Sequence, residues 1–394
     1  MGNLLRVYVA TALITSSHGA AITVLPPFLN DLGFPVQEIG YVSAVIGLMQ
    51  LVSRMPIGTL YLVHRARRIM FFCLLSMALS AIGYRYVHTL PWVLLLTALF
   101  GLGLGGATTV ITALCLDLRP KEHDLGRTVG WFGAAIGLGY LTSNLGLSYM
   151  ADHLGYGIAL MATGLLPIAA LLVIMAIPIP SVSKNVVSDD SPQPAKSEEG
   201  LMVVLLNPDI LAAVLIALAT TFITQSIDAF FPIHALGIGF SLTAVGLLRS
   251  LASISTTVVR PLSPLAFRFA SLRTINAACV LSAAAAMMLL PHFSVFPALM
   301  ILFSVVGLTR GISRVSGTTL IAQGGHHMGL ASGIFNAGLD LGGIVGPFIG
   351  GVLAASTNIS VMFHVLGILL IAFYFVTLRF SERVGRRVPP RRAI

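Results

Sequence analysis

Residues 90–115 read LPWVLLLTALFGLGLGGATTVITALC and residues 296–321 read FPALMILFSVVGLTRGISRVSGTTLI. The first carries no charge and the second only Arg310 and Arg314. A bilayer core takes roughly 20 apolar residues per helix, so each stretch reads as a membrane span. They are also one pattern written twice. Shifting the chain by 206 positions lays Pro91 on Pro297, Gly101 on Gly307, Gly105 on Gly311 and Leu114 on Leu320. Outward from there the register also holds Pro26 on Pro232, Gly33 on Gly239, Phe34 on Phe240, Gly40 on Gly246, Arg54 on Arg260, Arg67 on Arg273 and Cys73 on Cys279. A three-residue deletion near His326 changes the offset to 203, which pairs Gly126 with Gly329, Gly130 with Gly333, Phe132 with Phe335 and Gly139 with Gly342. A parallel repeat of this length is the signature of membrane proteins that rock two halves about a central site.

Composition agrees. The chain of 394 residues is 56% hydrophobic and 9% charged, against about 25% charged in a soluble domain. Its net charge of +9 sits in short loops and at the C-terminus rather than on one helix face, so it marks topology and not a nucleic-acid surface. Cys73, Cys115 and Cys279 lie far apart without metal-ligand spacing, and no HExxH, P-loop or nucleophile-base arrangement occurs. No cofactor, metal or enzymatic activity is expected.

Twelve spans are predicted, at about 5–29, 37–62, 69–87, 90–115, 126–150, 154–178, 208–232, 242–267, 272–291, 294–318, 328–354 and 358–379. Arg6 precedes an apolar run that continues to Leu29 without a small-residue cleavage site, so this run reads as a first span rather than a leader. Loops after spans 2, 4 and 8 carry His64, Arg65, Arg67 and Arg68, then Arg119, Lys121 and Arg127, then Arg268 and Arg273. The tail adds Arg383, Arg386, Arg387, Arg391 and Arg392. The opposite loops carry Asp31, Glu38 and Asp152, with Arg85 as the clear basic exception. The positive-inside rule then puts both termini in the cytoplasm, in an inner (plasma) membrane of bacterial type. The expected fold is an all-α membrane protein of two pseudo-symmetric six-helix bundles, 1–178 and 208–380. A polar linker at 179–207 joins them, and a basic tail follows at 381–394.

The repeat sorts the polar residues. Those kept in both halves, Arg54 and Arg260, are expected to serve structure or gating. Charges found in one half only are Asp228 opposite Ile22, Arg249 opposite Ser43, Arg310 opposite Leu104, Arg314 opposite Thr108 and Asp340 opposite Gly137. An ionised side chain at the bilayer centre costs about 2.5–3.5 kcal/mol on insertion scales, so such residues face protein or a wet cavity and usually mark function. Structural ion pairing is the competing reading.

Leu25-Pro26-Pro27-Phe28, Asp31-Leu32-Gly33-Phe34 and Glu38-Ile39-Gly40 resemble the end of span 1 and the next loop in drug and metabolite efflux branches of the major facilitator superfamily. Arg54-Met55-Pro56-Ile57-Gly58 leading to Arg65, Arg67 and Arg68 is similar to that family's signature between spans 2 and 3. The acid expected four positions after Gly58 is Leu62 here. Gly346-Pro347-Phe348-Ile349-Gly350-Gly351 in span 11, after Gly333, Asn336, Asp340, Gly342 and Gly343, resembles the family's glycine-proline element. In proton antiporters that element is expected in span 5, where this chain has Ser143-Asn144.

The resemblance implies a cavity lined by spans 1, 4, 7 and 10. These supply Thr15, Ser16, Ser17 and His18, then Thr108 and Thr109, then Gln225 and Asp228, then Arg310. Arg310 is the expected anion contact, because a guanidinium keeps its charge and can grip a carboxylate or phosphate with two bonds. Asp228 and Asp340 are the expected proton carriers, with Arg249, Arg314, His18, Gln225 and Asn336 along the pathway. Gly58, Gly346 and Pro347 are expected to gate or shape the helices. The leading expectation is a monomeric, proton-coupled exporter of a small organic solute, anionic or zwitterionic, in a lipid bilayer and without nucleic-acid partners. Uptake of an organic anion by proton symport, a lipid flippase and a non-transporting sensor are the alternatives.

Overall fold

A computed structural model describes residues 2–118, 125–178, 207–323 and 328–387. The expected linker, the deletion near His326 and the end of the basic tail lie outside these, wholly or nearly so. The described chain is helical, in twelve long helices: α1 (Gly2–Asp31), α2 (Val36–Leu60), α3 (Ala66–Gly83), α4 (Leu90–Asp117), α5 (Leu125–Leu154), α6 (Tyr156–Met175), α7 (Pro208–Gly237), α8 (Leu242–Ala266), α9 (Leu272–Leu289), α10 (Phe296–Gln323), α11 (Met328–Ser356) and α12 (Ile359–Arg387). Eleven are long and apolar enough to cross a membrane. The twelfth, α5, carries Thr142, Ser143, Asn144 and Asp152 among its apolar residues and faces protein along much of its length.

Local chemistry sets the ends and the turns. Ser241 caps α8 by accepting from the Ala244 N–H (3.1 Å), and Asn207 caps α7 through the Asp209 N–H (3.0 Å). Gly33 and Gly239, paired by the repeat, close the α1–α2 and α7–α8 turns at φ of 84° and 94°, a left-handed conformation that costs glycine nothing. Inside the spans, hydroxyls return to their own helix, as Thr11 does to the Val7 carbonyl and Thr220 to the Ile216 carbonyl. Such hydroxyls are satisfied without water, as a bilayer requires.

In the first half α1 packs on α5 and α6, α3 on α4 and α6, and α2 on α4; in the second, α7 packs on α11, and α10 on α7, α8 and α9. The halves meet along two seams, α2 with α11 and α5 with α8. The seams are built alike. A Cβ on Gly40 would lie 2.6 Å from the Pro347 carbonyl oxygen and 2.8 Å from the Gly351 Cα. A Cβ on Gly246 would run into the Asn144 carbonyl and reach the Ser148 hydroxyl at 2.7 Å. The offsets 206 and 203 match Gly40 to Gly246, Pro347 to Asn144 and Gly351 to Ser148, so the sequence repeat is a repeat of contacts. Away from the termini the seams are tight: Tyr41 stacks on Phe348 with ring centroids 5.3 Å apart, and the Asp152 carboxylate accepts from the Leu242 N–H at 3.0 Å. They part only near the terminal ends, beyond the contact of Arg54 with Asp340, where Gly130 of α5 and Gly333 of α11, again a repeat pair, face open space.

Candidate functional site

Pro26 and Pro232 create the centre of the site. Proline lacks an N–H, so the carbonyl four residues earlier loses its helical donor; in α1 that is Ile22 and in α7 it is Asp228. A single side chain answers both. Arg249 of α8 donates through Nη1 to the Ile22 carbonyl at 3.0 Å and to the Asp228 carbonyl at 3.4 Å, while its Nη2 pairs with the Asp228 carboxylate at 2.9 Å. Arg249 is 5% exposed and Asp228 15%. Burial of both charges is tolerated because both terminal nitrogens of the guanidinium have acceptors.

Asp228 borders empty space on two sides. One space is lined by Ile22, Ser43, Gln225 and Pro347; the other by Tyr140, Asn144, Ser253, Phe303 and Arg310. His18 of α1 shares a hydrogen bond with the Tyr140 hydroxyl (Nδ1 to oxygen, 2.8 Å), and its Nε2 is buried without a partner. Arg310 is within electrostatic range of His18, Tyr140 and Arg249. The structure thus places Gln225 on one of these spaces, Arg249 and Arg310 on the other and Asp228 on both, with His18 bonded to Tyr140 beside them.

The second acid lies elsewhere. Asp340 of α11 pairs with Arg54 of α2 across the halves, Oδ2 to Nη1 at 2.7 Å, with Asp340 7% exposed and Arg54 31%. This joins a residue expected at the site to one expected at the gate. Asn336, one turn nearer the termini, donates its amide to the Ser332 carbonyl of its own helix at 2.9 Å. Gly346 belongs to packing within the second half, since a Cβ there would lie 2.6 Å from the Phe222 carbonyl. The backbone of Pro347 forms the α2 seam, and Gly58 has only Thr109 near it, at 3.9 Å. Thr15, Thr108 and Thr109 bond to carbonyls of their own helices and Ser17 to that of Thr163. Sequence reasoning missed Tyr140. It stands opposite Gly343 in the repeat, and extending the comparison from charges to hydroxyls would have found it.

The sequence profile of the Major Facilitator Superfamily matches residues 7–326 and again 261–393. An uncharacterised MFS-type transporter of Methanocaldococcus jannaschii is 21% identical over 387 residues, covering 97% of this chain and 98% of that one. The quinolone resistance protein NorA of Staphylococcus aureus is 26% identical over 129 residues, a third of each chain (33%). Among solved structures, a mutant of the nucleoside transporter NupG superposes with a TM-score of 0.80 at 14% identity, covering 97% of this chain and 99% of that one. A bacterial homologue of the human lysosomal transporter Spinster, inward-facing and occupied, gives 0.75 at 13% identity, with 98% and 96% covered. A twelve-helix, two-fold repeated bundle around a polar cleft defines a multi-pass membrane transporter. This chain belongs to the Major Facilitator Superfamily.

Proposed function

We propose that the protein exports a small anionic or zwitterionic organic solute in exchange for protons, by alternating access between its two halves. The observation that carries this reading is the place of Asp228, on the wall of both spaces and bonded to the residue that ties α7 and α8 to α1. A proton on Asp228 cancels its charge attraction to Arg249, so protonation and the binding of a charged solute act on one electrostatic balance. With both termini in the cytoplasm, the parted end of the seams is the cytoplasmic one, and the cleft is open to solute from inside. A cytosol held negative favours expelling an anion by about 2.3 kcal/mol per charge per 100 mV, which supports export over uptake. The resistance activity in the name of the Staphylococcus relative supports export of organic compounds. The protein works as a monomer in a bacterial-type inner membrane.

The test is flux in vesicles of purified protein under pH gradients of either sign, on a solute found by thermal-shift screening of metabolites and antimicrobials. Asp228→Asn should keep solute exchange and lose accumulation driven by the pH gradient. Undiminished pH-driven accumulation in that variant would remove Asp228 from the coupling.

A further inference from the structure

Five arginines, Arg54, Arg249, Arg260, Arg310 and Arg314, form one electrostatic string through the bundle. The described acids within that string are Asp228 and Asp340, and both are taken, by Arg249 at 2.9 Å and by Arg54 at 2.7 Å. The side chains of Arg260, Arg310 and Arg314 have no ion pair or hydrogen bond with a described residue. The Arg260 Nε is buried without any acceptor. These three are not scattered: Arg314 is within range of Arg260 and Arg310, Arg260 is within range of Arg310, and all three act on Tyr140. Arg314, one helical turn beyond Arg310 on α10, is exposed on the bundle.

The fold does not ask for this charge. In the α2–α11 seam the shared arginine has its acid, Asp340. In the α5–α8 seam the matching position is Gly137, and Arg260 Nη1 lies 3.9 Å from where a Cβ on Gly133 would stand. Leu104 and Thr108 fill the first-half positions of Arg310 and Arg314. One seam lacks the acid opposite its arginine, and two further cations stand nearby. A guanidinium does not discharge in a protein, so three unpaired ones gathered together favour an anion supplied from outside the chain.

We infer that Arg260, Arg310 and Arg314, with the Tyr140 hydroxyl, form a subsite for a solute bearing two or more negative charges on oxyanion groups, a phosphomonoester or a dicarboxylate. The inference rests on the transport reading and sharpens it, and it moves Arg260 from the gate to the solute. A monocarboxylate would leave two of the cations unmatched, and all three would repel a lipophilic cation. Planar forks suit phosphate and carboxylate oxygens, which accept paired N–H groups.

The test is thermal unfolding of the purified full chain with inorganic phosphate, succinate, acetate or chloride at equal ionic strength and fixed pH. Phosphate and sulfate-like salts stabilise most proteins by exclusion, so the reference is the variant Arg260→Gln/Arg310→Gln/Arg314→Gln. Phosphate or succinate should raise the wild-type midpoint above the shift seen in that variant, and acetate should not. Whichever of the two acts identifies the head group. Arg260→Gln alone should weaken the apparent affinity about tenfold, the loss of one charged fork. The triple variant should melt no lower than wild type in chloride, since it removes only unpaired charges. Failure of that variant to fold would mean that the arginines are held by the fold, and would overturn the subsite, as would equal phosphate shifts in both proteins. Binding without flux in vesicles would remove the transport reading and keep the subsite. Flux of a neutral or cationic solute untouched by Arg260→Gln and Arg314→Gln would remove the subsite and keep transport.

Discussion

Pro26 of α1 and Pro232 of α7 stand at matching places in the two halves, and the carbonyls they free, those of Ile22 and Asp228, converge on the same guanidinium nitrogen of Arg249. The repeat therefore meets itself at one side chain that only the second half carries.

That convergence can be measured. Arg249→Gln strands two carbonyls and a carboxylate, and removal of one partner from buried polar pairs costs about 3–5 kcal/mol. Pro26→Ala restores an N–H for the Ile22 carbonyl, so the Arg249→Gln penalty should shrink by about 1 kcal/mol in that background. A double-mutant cycle on thermal or denaturant unfolding in detergent checks this; strict additivity would mean that the Arg249–Ile22 bond contributes nothing to stability.

The Arg54–Asp340 pair should matter to motion and stability more than to recognition. Arg54→Ala leaves a buried carboxylate without its cation and should destabilise by about 1–3 kcal/mol, below the fully buried value because Arg54 is 31% exposed. Asp340→Asn should cost less, since Arg54 keeps access to water. The Arg54→Ala/Asp340→Asn double variant should recover part of the single-variant loss while solute preference stays unchanged. A changed preference with normal stability would move the pair into the solute site.

Gly40 and Gly246 are sites of close approach on the two seams. A valine at either should wedge the seam apart at the end away from the termini and bias the protein toward opening there. A single cysteine placed at residue 37 or 241 should then react faster with a water-soluble maleimide, and turnover should fall. Unchanged labelling with normal turnover would show that the seam yields without moving the halves.

Topology rests on the arginine-rich loops. Reporter tags at residue 190 and at the C-terminus should both report cytoplasm, and an outside signal from either would reverse the assignment of the parted end.

The helices were legible because apolar length and the doubled glycine and proline positions are properties of residue type along the chain. Even the seams were present in the pairing of Gly40 with Gly246, although not as contacts. What the sequence hid is partnership across helices. Arg54 and Asp340 lie 286 positions apart, and nothing in spacing joins them. Arg249 read as a pathway charge because its acceptors are partly backbone, and a carbonyl freed by Pro26 has no letter of its own. Tyr140 was passed over because charge, not hydroxyl chemistry, was the sorting property.

The two seams are also fastened at different heights. Asp152 clasps the start of α8 at the end away from the termini, through the Leu242 and Thr243 amides, while Arg54 and Asp340 clasp α2 to α11 well toward the other end. Neither clasp has a counterpart in the opposite seam, where Ala355 and Gly137 occupy the matching places. A swing of one half about the other therefore strains one clasp before the second. If the halves alternate as proposed, the hinge line would run aslant, and the route between two open states would pass through a skewed form in which one side has let go while the other still holds.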